Sequence, residues 1–164
     1  MVREAGVWRD LEAGAPDLAQ PGLARLNATR VALLGTLRPD ASPRISSVEP
    51  YLVEGQLMIG SMTWSRMTSD LRRDPRYVLH SAVTGPDTGE GDFKVYGSAI
   101  EVDPSFAGTV ANAWWSELRP DKAVVFSLGI ALAVFIDWDI QAGLMTVHRW
   151  SPRSGYSRTT RTYP

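Results

Sequence analysis

The sequence predicts a mostly β domain, a small closed antiparallel barrel with a few helices across its ends. Three observations carry that expectation. Short apolar or alternating segments recur from Arg30 to Trp150, separated by clusters of Pro, Gly, Asp and Ser. Helical spacing or capping signals appear around residues 17–28, 63–73 and 103–118. The chain has 164 residues, 44% of them hydrophobic, which suits one ordinary domain with a real core.

Residues 1–16 are rich in Gly, Ala and charge and are expected to lie loosely on the surface. Residues 17–150 are expected to form the single domain, and 151–164 a polar, basic tail. Asp17 to Ala28 reads as a helix with Asp17 as its N-cap, and Pro21 fits only in a first turn. Arg30 to Arg38 is a β-forming run, closed by turn chemistry at Pro39-Asp40-Ala41-Ser42-Pro43. Arg44 to Val53 and Gln56 to Ser61 read as two strands joined at Glu54-Gly55, so the first half opens as a meander.

The period changes over Thr63 to Arg73, where Met67 and Leu71 are four apart and Asp74-Pro75 stops a short helix. Arg76 to Val83 returns to strand, and Thr84 to Gly91 is a loop with three glycines. In the strand Asp92 to Val102, Phe93, Val95 and Ala99 alternate with Lys94, Tyr96 and Ser98. Asp103-Pro104 starts a helix, with Phe106, Val110, Trp114 and Leu118 as one apolar stripe and Pro120 as its end. Val124 to Trp138 and Leu144 to Trp150 read as the last strands.

Composition narrows the function. The net charge of −1 supplies no global field for nucleic acid or an anionic membrane, so neither is expected as a partner. Cysteine is absent, which removes disulfides, thiolate nucleophiles and cysteine zinc sites; two histidines, His80 and His148, suggest no metal site. The N-terminus carries no apolar signal-peptide core, and Ala123 to Ile136 is too short for a helical span, so the cytoplasm is the expected compartment.

Two segments carry candidate chemistry. Ser61-Met62-Thr63-Trp64-Ser65-Arg66 ends a strand and opens a helix. Orphan N–H groups, the helix dipole, hydroxyls and a guanidinium there suit a phosphate, although Thr63 or Ser65 capping the helix beside a solvated Arg66 explains the same residues. Arg44-Ile45-Ser46-Ser47-Val48 puts polar groups on a neighbouring strand, where they either bond a planar heterocycle or face solvent at an edge. Among the aromatics, adjacent Trp114 and Trp115 must point different ways, and one of them, or Trp138 or Trp150, either stacks on a ligand's aromatic ring or, the ordinary role for each, packs in the core. His148 reads as a packed histidine.

Taken in order, these segments resemble the pyridoxamine 5′-phosphate oxidase-like family. ALLGTLRPDASPRISSVEPYLVEGQL is similar to its first hairpins, with the pattern T-x-R-x-D-G-x-P-R, in which Ala41 replaces the usual Gly. SMTWSRMTSDLRRDPR resembles its phosphate-holding helix, S-R-K-x-x-x-L-x-x-N/D-P-R, and GDFKVYGSAIEV the long strand that follows. The resemblance implies an FMN-binding split β-barrel of antiparallel Greek-key type with a few flanking helices. It also implies residue roles: Ser61, Thr63, Ser65 and Arg66 toward the phosphate, Arg44, Ile45, Ser46 and Ser47 along the flavin ring and ribityl chain, and Asp92 and Lys94 on the approach of the long strand. A homodimer completing each site is implied as well, and Val124 to Ile136 looks like an apolar face too large for one short helix to cover.

Departures shape the functional expectation. Met67 stands where the family has lysine, Glu49 stands about where the true oxidase carries a substrate lysine, and the oxidase's C-terminal Arg-x-His pattern is missing. The resemblance therefore implies an oxidoreductase that uses FMN, or alternatively the deazaflavin coenzyme F-420, on a small-molecule substrate other than pyridoxamine phosphate. No catalytic side chain is implied, because the cofactor carries the hydride chemistry. A non-catalytic flavin or deazaflavin carrier, and a structural dimer with an empty site, are the rival expectations.

Overall fold

The computed structural model describes residues 5–107, 110, 113–115 and 121–163. In chain order the elements are α1 (Trp8–Gly14), α2 (Pro16–Thr29), β1 (Ala32–Leu37), β2 (Pro43–Val48), β3 (Pro50–Val53), β4 (Gln56–Met62), α3 (Arg66–Arg73), β5 (Arg76–His80), β6 (Asp92–Glu101), α4 (Pro104–Ala107), β7 (Ala123–Asp139), β8 (Leu144–Ser151) and β9 (Gly155–Thr162). Every strand pairing is antiparallel, so the fold class is the expected one: mostly β with a few flanking helices.

Strand order departs from a simple meander. The sheet runs β2-β1-β5-β6-β7-β4-β3, with β8 and β9 branching from β7. What reads in sequence as one strand, Arg44 to Val53, is split at Glu49. Residues before it pair with β1 and residues after it pair with β4, at opposite ends of that strand path. The sheet is therefore not closed, which corrects the closed barrel expected. At the Glu54-Gly55 turn both residues have positive φ, 49° and 76°, the conformation of a tight two-residue hairpin.

The main core lies inside this curved sheet. Phe93, Val95, Phe126, Leu128, Ile130 and Phe135 face Leu34, Leu57, Ile59 and Leu79 across it. Val124 to Ile136 is thus mostly interior rather than a bare face, and Val125 is covered by a second cluster of Met58, Val110, Ala113 and Trp115.

Both ends of the chain correct the sequence reading. Residues 1–16 are not all loose: α1 buries Trp8 and Leu11 completely, and the Trp8 ring meets Phe93 edge-on at 5.8 Å. Burial of two such side chains stabilises by about 3–6 kcal/mol. The tail is not free either, since β9 pairs along the whole of β8. In α2 the N-cap is Ala15, Asp17 lies in the first turn, and Pro21 sits inside the helix. The helix expected over 103–118 is helical at Pro104–Ala107, with Asp103 accepting from the Ser105 N–H at 2.8 Å. Val110 and residues 113–115 are irregular or turn, and Leu118 and Pro120 lie outside the described residues. No helix among the described residues is long and apolar enough to cross a membrane.

Candidate functional site

The start of α3 organises the site. Ser65 takes an extended conformation and its hydroxyl accepts the Met67 N–H at 3.2 Å, so of the two expected cap residues, Thr63 and Ser65, it is Ser65 that caps the helix. Arg66 follows as the first helical residue, exposed and with no hydrogen bond or ion pair among the described residues. On the inner side of the helix, Thr68 is fully buried and shares its hydroxyl between Ser61 Oγ and the Met62 carbonyl, each at 2.8 Å. That contact fixes the helix to the end of β4.

Asp70 ties the same helix to β1 and β2. Its carboxylate is 2% exposed and accepts from Arg44 Nε at 2.6 Å, Thr36 Oγ1 at 3.2 Å and Arg73 Nη2 at 3.2 Å. Burial pushes its pKa up, but the hydrogen bonds from Arg44 and Arg73 and the Arg44 charge outweigh it and hold the carboxyl below the usual range. With Nε engaged on Asp70, the outer guanidinium nitrogens of Arg44 remain available to a ligand.

Two adjoining depressions result. One, of about 500 Å³, is lined by Arg38, Pro39, Asp40, Arg44 and Arg66. Three guanidinium groups converge there against one carboxylate, Asp40, whose pKa the Ser42 hydroxyl and backbone N–H hold low. The other, a groove of about 280 Å³, is lined by Ser46, Ser47, Glu49, Gly60, Ser61, Met62, Trp64, Ser65, Met67 and Trp114. It lies where the chain leaves β2 for β3, at the opening of the barrel.

Of the residues expected from sequence, Ser46, Ser47, Ser61 and Ser65 meet at the groove and Arg44 and Arg66 at the arginine cleft. Thr63 does not join them: its hydroxyl donates to the Asp121 carbonyl at 3.0 Å and anchors the loop before β7. Ile45 is 71% exposed and points away from α3, because side chains alternate along β2. Asp92 and Lys94 lie on the outer face of β6, opposite the buried Phe93 and Val95, and line neither depression within one chain. Met67 is packed in the main core and touches the groove rather than the arginine cleft, so a lysine at this position would not join the guanidinium cluster.

Four lining residues escape the sequence argument. Arg38 belongs to the first hairpin motif and Trp64 to the S-M-T-W-S-R segment, but neither type distinguishes a site residue from a solvated one. Glu49 is legible only as a departure from the family pattern. Trp114 reaches the groove because Trp115 beside it is buried against Gly60, where a Cβ would come within 2.2 Å of the indole. Outside the site, His148 is a packed histidine, 8% exposed, between Tyr156 Oη at 2.8 Å and Asp137 Oδ2 at 3.0 Å.

No family model matches the sequence, and no curated protein matches it significantly. Solved structures do. PhzG from Burkholderia lata 383, in complex with tetrahydrophenazine-1-carboxylic acid, is similar with a TM-score of 0.66 at 13% identity, covering 98% of this chain and 98% of that one. A pyridoxamine 5′-phosphate oxidase-related, FMN-binding protein from Nostoc punctiforme has a TM-score of 0.65 at 11% identity, covering 90% of this chain and 96% of that one. The general stress protein 26 of Bacillus anthracis has a TM-score of 0.57 at 17% identity, covering 71% of this chain and 91% of that one. The chain has the split-barrel fold of these structures, among them the pyridoxamine 5′-phosphate oxidase-related protein.

Proposed function

We propose that this chain is a flavin-type cofactor-dependent oxidoreductase, using FMN or the deazaflavin coenzyme F-420 on a small-molecule substrate and working as a homodimer. One observation carries the reading: Arg66, which has no side-chain partner among the described residues, and the outer nitrogens of Arg44 line with Arg38 a cleft beside a serine-lined groove. The donor set fits the two parts of such a cofactor. Guanidinium groups and the start of α3 suit a phosphate, and Ser46, Ser47, Ser61 and Ser65 suit the edge of a polar planar ring. From Arg44 to Glu49 the strand advances roughly 16 Å, enough to run beside a phosphate, a ribityl chain and part of a ring.

When bound, the cofactor supplies the hydride-accepting ring. The residues of the chain bind and orient it. Arg44 is pre-positioned by Asp70, so little conformational freedom is lost on gripping an anion. Thr68 and Ser61 lock the strand end against α3 and keep the groove wall rigid.

The dimer would use the outer face of the sheet. The register sets Ile45, Gly35, Val78, Tyr96 and Leu132 in one cross-strand row, with Ile45 and Tyr96 71% and 39% exposed. Asp92 and Lys94 lie on this same face, where a second copy brings them nearest to a cofactor.

Arg66→Ala tests the reading. The substitution removes an exposed side chain and should leave the fold intact. Losing a charge-assisted contact to phosphate costs about 1.5–3 kcal/mol, so FMN or deazaflavin binding should weaken roughly ten- to a hundred-fold. Fluorescence titration of parent and variant with both cofactors measures this. Equal affinity for both proteins would remove the phosphate from α3, and no affinity for either cofactor would leave the barrel as a structural dimer.

A further inference from the structure

Glu49 is the one charged side chain among the described residues that line the groove. It joins β2 to β3 at the opening of the barrel and is exposed, its carboxylate accepting from Tyr51 Oη at 3.1 Å. Two indoles share the groove with it. Trp64 is 80% exposed, an unusual state for the largest apolar side chain, in the tight connection between β4 and α3. Trp114 is held by its edge-to-face contact with Trp115, ring centroids 5.8 Å apart, and Trp115 in turn meets Tyr51 at 4.6 Å. Trp114 is therefore a braced wall, while Trp64 is a free plate.

We infer that Trp64, Trp114 and Glu49 form a recognition site for a planar organic cation, and that the substrate of this protein is a positively charged or amino-bearing aromatic ring rather than a phosphorylated one. Indole faces attract cations through the ring quadrupole, and a single carboxylate completes the charge match. An anionic ring would meet Glu49 unpaired. The arginines that suit an anion lie in the adjoining cleft, so the site is polarised, with anion recognition at one end and cation recognition at the other. Calling this ligand the substrate rests on the cofactor reading above, with the flavin ring along the four serines and the cation against the two indoles of the same groove, so mutual exclusion of FMN and the cation would overturn the substrate assignment; the charge preference of the groove is read separately.

The probe is N-methylquinolinium, compared by calorimetry with neutral quinoline and with quinoline-2-carboxylate, in the presence and absence of FMN. The cation should bind at least about tenfold more tightly than either analogue. Glu49→Gln should remove most of that preference by weakening the cation alone, and the preference should shrink at high salt. Trp64→Ala should weaken cation and neutral ring together, about tenfold. Both side chains are exposed, so both variants should fold, which circular dichroism checks. Equal binding of cation and neutral ring, or a preference that survives Glu49→Gln, overturns the inference. So does a Trp64→Ala variant that dissociates a dimer yet binds the cation as before, because the indole then belongs to an interface between copies. Cation selectivity without any FMN affinity supports the cation site and removes the cofactor reading instead.

Discussion

Ala41 has a φ of 64°, in the left-handed region that residues with a Cβ rarely occupy. It ends the turn between β1 and β2, where the Asp40 carboxylate binds the Ser42 N–H at 3.0 Å and the Ala41 N–H bonds the Arg38 carbonyl at 2.9 Å. Those bonds hold the strained conformation in place, and they shape one wall of the arginine cleft. The glycine of the family pattern at this position is thus explained by backbone geometry, and alanine keeps the geometry at a cost. Ala41→Gly should stabilise the protein by about 0.5–1 kcal/mol, less whatever glycine adds to the freedom of the unfolded chain. Urea unfolding of the two proteins measures the difference, and a less stable variant would show that unfolded-chain entropy dominates here.

At the scale of elements, α3 is docked by polar contacts as much as by apolar ones. Met67 and Leu71 bury its inner face, while Asp70 gathers Arg44 from β2, Thr36 from β1 and Arg73 from its own last turn. Asp70→Ala leaves Arg44 and Thr36 without their partner in a mostly buried place, and should cost about 2–4 kcal/mol. The same network predicts an acid limb. A carboxyl whose folded pKa lies below its unfolded value stabilises fully above that unfolded value, near 4, and the contribution is lost as pH falls through the folded pKa. Asp70 is held low by Arg44 and Arg73, and Asp74, at the end of α3, is lowered to about 2, chiefly by its hydrogen bond from Arg76. Stability should therefore fall between roughly pH 4 and pH 2, and the Asp70→Ala variant should show a shallower fall. Equal acid profiles for parent and variant would remove Asp70 from that role.

For the whole molecule the open question is what covers the outer sheet face. Ile45 on β2 is 71% exposed, Leu33 on the adjacent β1 is 39% exposed, and Tyr96 on β6, one strand further across β5, is 39% exposed. A homodimer through this face predicts that Ile45→Asp shifts the mass measured by light scattering from two chains toward one at micromolar concentration. A buried aspartate at a two-fold contact is met twice, so the effect on association is amplified by symmetry. If the parent is already a monomer, the proposed dimer falls and any cofactor must be held within one chain.

Local chemistry was enough to read most of this fold. The Glu54-Gly55 turn, the Ser65 cap, the Asp74-Pro75 stop and the alternation along β6 each depend on neighbours within a few residues, so they stand in the sequence as plainly as in the structure. Four of the residues lining the groove and two lining the cleft were legible for the same reason, as a strand end and a helix start. Tertiary structure decided the rest. The break at Glu49 has one local sign, Pro50, but the separation of its two halves arises from pairing with two distant strands, β1 and β4. The strand β9 has no apolar alternation to betray it: its residues are almost all exposed, and it exists because β8 offers an open edge of backbone groups. The meeting of Glu49, Trp64 and Trp114 in one groove, from three segments up to 65 positions apart, likewise depends on non-local packing that no periodicity encodes.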